Sequence, residues 1–234
     1  MKKFYKKATA KFDNGRFVIC LDDKPIKTPA GHLMAIRQTG LADVVIREWD
    51  DQEDVINPKT MPITQLLNVK IDKAQDMVVR KPLEDALLEY INSDLICYFA
   101  EGPDSLVAAQ RQHWSPLQQI FKEESGITLR TTSGINFVEQ DPELEKQGRA
   151  FVESLDAAHF AAFQSVVGPL GSFFIAKAFV EKHITADEAY NAALVDEVFQ
   201  MDIWGADPEA EKKHAALRKE LSDVERFLQL ISEN

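Results

Sequence analysis

Residues 40–72 read GLADVVIREWDDQEDVINPKTMPITQLLNVKID, two helical patterns parted by a stretch that cannot be helical throughout. Leu41, Val44, Val45, Glu48 and Trp49 recur at three- and four-residue spacings, the period of a helix with one side against a core. The polar run 50–54 ends that pattern. Pro58 and Pro62 each push the preceding residue out of the α region, which predicts an extended, stiff link over 55–62. From Thr64 the helical pattern resumes, with Leu67, Ile71 and Ala74 along one side. A stiff, partly apolar connector of this kind is expected to join two lobes.

On its amino-terminal side the units are short. Asn14-Gly15 lies between two β-prone runs, and Asn-Gly readily supplies the positive φ angles of a tight hairpin. Turn signals at 21–25 and 29–32 complete a small antiparallel meander of three or four strands, for which the Trp49 helix is the expected lid. On its carboxy-terminal side the chain is mostly helical, with helices expected near 82–97, 103–122, 142–156, 158–167, 171–182, 186–201 and 208–231. Pro116 is expected to kink or divide the second of these. Asp141-Pro142, the box Thr185-Ala186-Asp187-Glu188, and Asp207-Pro208 are explicit helix starts. The segment 127–131 is β-prone and could return to the first sheet. The fold expected is α+β: a small β-rich antiparallel lobe over 1–78, packed on a larger all-helical lobe over 79–234.

The formal net charge is -11, and residues 138–234 carry 19 acidic against 9 basic side chains. Such a surface repels phosphate backbones, so no nucleic-acid partner is expected. The apolar window 161–176 is broken by Gly168, Pro169 and Gly171 and is too short to span a bilayer, so no stable membrane insertion is expected. The start MKKFYKKATAKF has no apolar run behind it, which suggests a mature chain beginning at or near Met1. Two cysteines, Cys20 and Cys97, suit small buried hydrophobes in a reducing compartment.

Catalytic and metal motifs are missing from the sequence: no HExxH, no GxGxxG, no Walker-type lysine loop and no GxSxG. No cofactor and no metal are expected. Asp196, Glu197 and Gln200 share a helical face, and Asp202, Asp207, Glu209 and Glu211 follow. Paired carboxylates can do acid–base work, yet an acidic solvated face or a partner-recognition patch is the simpler reading. Trp49, Trp114 and Trp204 sit among polar residues; buried anchors are expected, with interface residues as the alternative.

Several pieces resemble the ATP12 family: Arg16-Phe17, LDDKPIKTPAG at 21–31, EWDDQ at 48–52 and INPKTMPIT at 56–64. DLICYF at 94–99, Gln112 with Trp114-Ser115-Pro116-Leu117, Gly171-Ser172, Asp196-Glu197 with Gln200, and WGADPEA at 204–210 continue the series. Order and spacing hold over about nine-tenths of the chain. The resemblance implies a non-enzymatic chaperone that binds the unassembled F1 α subunit of the ATP synthase and masks its subunit interface until assembly. It implies a partner-binding role for Glu197, Asp196, Gln200, Trp204 and Asp207. Trp49, Asp50, Gln52, Pro58, Met61, Pro62, Asp94 and Trp114 would be structural or interface residues. A monomer in the bacterial cytoplasm is expected. Two departures stand out: Phe99 replaces an arginine, and Asp23-Lys24 replaces a glycine and arginine. The rival readings are an interaction module with another client and a carboxylate-dependent hydrolase.

Overall fold

The computed structural model describes residues 1–205 and 207–233; Ala206, inside WGADPEA, and Asn234 lie outside them. Two compact units emerge, one of residues 1–80 with 156–162 and 223–234, the other of residues 81–155 with 163–222. Residues 40–72 therefore sit wholly inside the first unit instead of joining two lobes. A single cut at 78 also leaves 156–162 and 223–234 on the helical side, whereas these segments cluster with the first unit.

The first unit is built on a four-stranded sheet of β1 (Ala8–Asp13), β2 (Arg16–Leu21), β3 (Lys24–Pro25) and β4 (Ala35–Ile36), with β2 paired to all three others. Asn14 and Gly15 turn the first hairpin at φ +47° and +76°. Asp22 and Asp23 turn the second at +47° and +67°, in the left-handed region that aspartate enters more readily than most side chains. Helix α1 (Thr39–Asp50) covers the sheet with Leu41, Val44 and Val45.

The proline link differs from the expectation. Asn57 is extended, as Pro58 demands, but residues Pro58–Thr60 close a 3-10 turn, capped by the Asn57 side chain on the Lys59 amide at 3.1 Å. Proline's fixed φ suits a helical first position as well as an extended one. Helix α2 (Pro62–Val69) follows and runs into a π turn over Lys70–Ala74.

In the second unit, α3 (Met77–Leu88), which begins in the first, gives way to 3-10 turns at Glu89–Ser93 and Leu95–Cys97 where one helix over 82–97 was expected. β5 (Tyr98–Phe99) pairs in parallel with β6 (Thr132–Ser133), so residues 127–131 form no strand and their neighbours do not reach the first sheet. Helix α4 (Asp104–Ser125) runs undivided through Pro116. Its buried face, Leu106, Gln110, Trp114, Leu117 and Phe121, brackets the proline, and packing on both sides outweighs the one amide it removes.

The remaining helices are α5 (Pro142–Ser154), α6 (Ala157–Leu170), α7 (Phe173–Val180), α8 (Ala186–Ala193), α9 (Val195–Trp204) and α10 (Pro208–Ser232). Asp141, Thr185 and Asp207 cap α5, α8 and α10 as their motifs predict. The helix expected over 186–201 is two. Leu194 (φ -111°, ψ 22°) leaves the α region, and the Ala192 carbonyl beside it accepts the Trp114 indole N–H at 2.8 Å. Gly171, at φ +63°, makes the turn between α6 and α7. Both cysteines are buried and free, and no helix of the described residues is long and apolar enough to cross a membrane.

Candidate functional site

The residues of EWDDQ and INPKTMPIT converge, but on one another. A helix leaves its first amides without intrahelical partners. In α2 the Met61 amide bonds the Pro58 carbonyl and Pro62 has none to offer. Glu48 of α1 takes the rest, accepting from the Ile63 amide at 2.8 Å, the Thr64 amide at 2.7 Å and the Thr64 hydroxyl at 2.6 Å. Burial pushes the Glu48 carboxyl up, against the pull of those donors. Gln52, itself buried, donates to the Glu48 carbonyl and the Thr60 hydroxyl and accepts the Asn57 amide. Asp50 accepts the Ala8 amide of β1 at 2.7 Å. Tyr5 donates its hydroxyl to the Trp49 carbonyl at 2.6 Å and meets the half-buried indole edge-on, and burial, then the Asp50 charge, pushes the phenol up to about 12. Met61 is buried beside Tyr5. The motif is a clasp that closes helix, turn and sheet.

A second clasp sits in the other unit. Asp94 is fully buried and accepts from the Ser172 hydroxyl and the Phe173 amide, each at 2.6 Å, and from the Phe174 and Ile96 amides at 3.2 Å. Ser172 in turn accepts the Ile175 amide, so the open end of α7 is satisfied by a residue 78 positions upstream. Burial pushes the Asp94 carboxyl up to about 7 even with four donors around it. Trp114 is wholly buried and packs edge-on against Phe99 at 5.2 Å. Arg111 lies over the Phe99 ring at 5.8 Å, a cation–π contact.

The face of α9 is different. Glu197, Gln200 and Trp204 follow at three- and four-residue steps, and all are exposed, Trp204 by 77% and its neighbour Ile203 by 55%. Trp204 is thus not the buried anchor expected of a tryptophan. Asp196 stands apart from them: half-buried, it accepts the Gln110 amide at 2.7 Å while Gln110 accepts the Ala100 amide, which ties α9 to α4. Asp207 uses its carboxylate on the Glu209 and Ala210 amides, whose hydrogen bonds hold it below the usual carboxylate range. Between α9 and α10 lies a groove of about 690 Å³, with Val198, Met201 and Asp202 from one helix and His214 and Arg218 from the other.

Sequence spacing did not show two further groups. Glu124, Glu181 and His183 bring ligand-capable atoms within 4.8 Å of one another, but the Lys177 ammonium already lies on both carboxylates. Asp72 gathers Thr28, His32 (3.0 Å) and the Ala30 amide (3.0 Å). Burial raises its carboxyl, and those hydrogen bonds more than reverse this, leaving it below the ordinary value. A lowered folded pKa gives stability that is complete above the ordinary carboxylate range and is lost as pH falls through the folded value. Asp72→Asn should therefore cost about 1 kcal/mol at neutral pH. Urea unfolding should show that gap closing as pH falls below the ordinary carboxylate range. A gap independent of pH would contradict this account.

By family the chain is a chaperone: the profile described as ATP12 chaperone protein matches residues 2–122. Atp12 from Paracoccus denitrificans, a crystal structure, superposes with a TM-score of 0.87 at 32% identity, covering 98% of this chain and 97% of that one. A point mutant of the same Paracoccus protein gives 0.87 at 31% identity with the same coverage. Protein atp12, mitochondrial, of Schizosaccharomyces pombe is 25% identical over 215 residues, 88% of this chain and 74% of that protein. The chain belongs to the ATP12 chaperone family.

Proposed function

We propose that the chain is a non-enzymatic assembly chaperone that binds the unassembled F1 α subunit of the ATP synthase and covers its subunit interface until assembly. The observation carrying this reading is the exposed face of α9, where Trp204 and Ile203 stand in solvent beside Glu197 and Gln200. Large exposed apolar side chains ringed by polar ones suit protein contact, and tryptophan is the residue type most enriched at binding hot spots. Family membership supports a chaperone role. The acidic face would act mainly on encounter rate and register. A monomer acting in the bacterial cytoplasm fits this reading.

Co-purification of the tagged protein from its own cells tests it. The α subunit should come down with the wild type. Trp204→Ala should weaken capture at least about tenfold, as expected of a hot-spot tryptophan, with no change in the unfolding midpoint of so exposed a site. Glu197→Lys should slow association and reduce its salt dependence. Recovery of a different protein would favour an interaction module with another client. Undiminished capture by both folded variants would remove this face from the mechanism.

A further inference from the structure

We propose that the first unit carries a binding site for a small phosphorylated anion, in a cavity of about 350 Å³ lined by Arg16, Arg37 and Lys70. The volume lies at the lower end of small-molecule sites, which run from roughly 300 to 1,000 Å³. Arg16 opens β2, Arg37 follows β4 and Lys70 begins the π turn after α2. Three separate elements thus place cations around one hollow, in a chain whose net charge is -11.

The protein neutralises these cations only in part, with one carboxylate among three of them. Among the described residues none of the three makes a salt bridge, although Asp13 lies opposite Arg16 in the strand register. Asp156 is the only carboxylate among the described lining residues, and its oxygens also accept from the Ala158 and His159 amides and from His159 Nδ1, capping α6. Burial lowers the Lys70 pKa; the Asp156 charge opposes this, while Arg37 and Arg16 add repulsion. Like charges held together around a half-buried lysine destabilise the empty site, and a multiply charged anion reverses that. Gln38 adds a fourth polar group. Its Nε2 donates to the Ile231 carbonyl, which holds the side chain in place. Two arginines offer planar forks that match phosphate oxygens, and the lysine adds a point charge. A single carboxylate would leave most of that charge unmatched.

The test is calorimetric titration of the full chain with inorganic pyrophosphate, inorganic phosphate, ADP and a hexaglutamate peptide, at fixed ionic strength. Saturable one-site binding of pyrophosphate or ADP is expected, and each of Arg37→Ala and Lys70→Met should weaken it at least about tenfold, the loss of one charge-assisted contact. ADP binding more tightly than pyrophosphate would identify a phosphate ester as the ligand, and the reverse order the free anion. Because Lys70 is unpaired, Lys70→Met should not lower the unfolding midpoint in anion-free buffer, as loss of a structural lysine would. The proposal is overturned if no phosphate compound binds more tightly than about 1 mM, if both variants bind unchanged, or if only the acidic peptide binds. None of these readouts involves the F1 subunit, so their failure leaves the assembly role untouched.

Discussion

Asp94→Ala is expected to lose about 3–5 kcal/mol of folding stability, the range for removing one side of a buried charged network. Three backbone amides and the Ser172 hydroxyl converge on this carboxylate, and no water reaches them at a fully buried position. Alanine leaves the Ile96 amide orphaned in its 3-10 turn and the other three donors orphaned at the start of α7, where the helix dipole favours negative charge most. Since folded domains hold only about 5–15 kcal/mol in total, the loss takes a large share of the margin. Ser172→Ala should cost about 1–2 kcal/mol, since it removes a cap and one donor to Asp94. The double variant should cost less than the sum, because the two residues share one network. Urea unfolding of the four proteins measures all of this. A loss below about 1 kcal/mol for Asp94→Ala, within the reach of an ordinary single hydrogen bond, would mean that the clasp is not holding α7.

Glu48→Ala should cost about 2–4 kcal/mol, the sum of a lost helix cap and an orphaned buried hydroxyl. Its two oxygens serve the only amides of α2's first turn that lack another partner, and Thr64 is itself buried. Glu48→Gln keeps one acceptor oxygen but sets an amide NH₂ against a donor, so it should recover part of the loss and not all. Amide hydrogen exchange locates the effect: Ile63 and Thr64 should lose protection before the strands of the sheet do. Equal loss across the unit would point to general unfolding and not to an opened clasp. Trp204→Ala, harmless to stability, marks the contrast between residues that hold the fold and a residue that faces outward.

The resemblance to the family rests on both kinds. EWDDQ, INPKTMPIT, DLICYF and Gly171-Ser172 close the two clasps, whereas Glu197 and Trp204 present a surface. The motifs that made the family recognisable are mostly those that make the chain fold.

The sequence by itself determined what local chemistry decides. Asn14-Gly15 set the first hairpin because its φ angles are intrinsic to those residues. Asp141, Thr185 and Asp207 set helix starts because a cap bonds amides two or three residues away. The period of residues 41–49 marked the covering helix, and the absence of local catalytic and metal motifs was legible for the same reason. Tertiary structure decided the rest. Glu48 and Asp94 act on amides 16 and 80 positions downstream, and no spacing rule reaches that far. Packing carried α4 through Pro116, a tryptophan from another helix meets the chain where α8 ends, and burial separated Trp114 from Trp204, two residues whose neighbourhoods in sequence look alike. The cavity of Arg16, Arg37 and Lys70 joins three segments that are unrelated in sequence. A charge shows its sign in the sequence; whether it has a partner depends on distances that only folding sets.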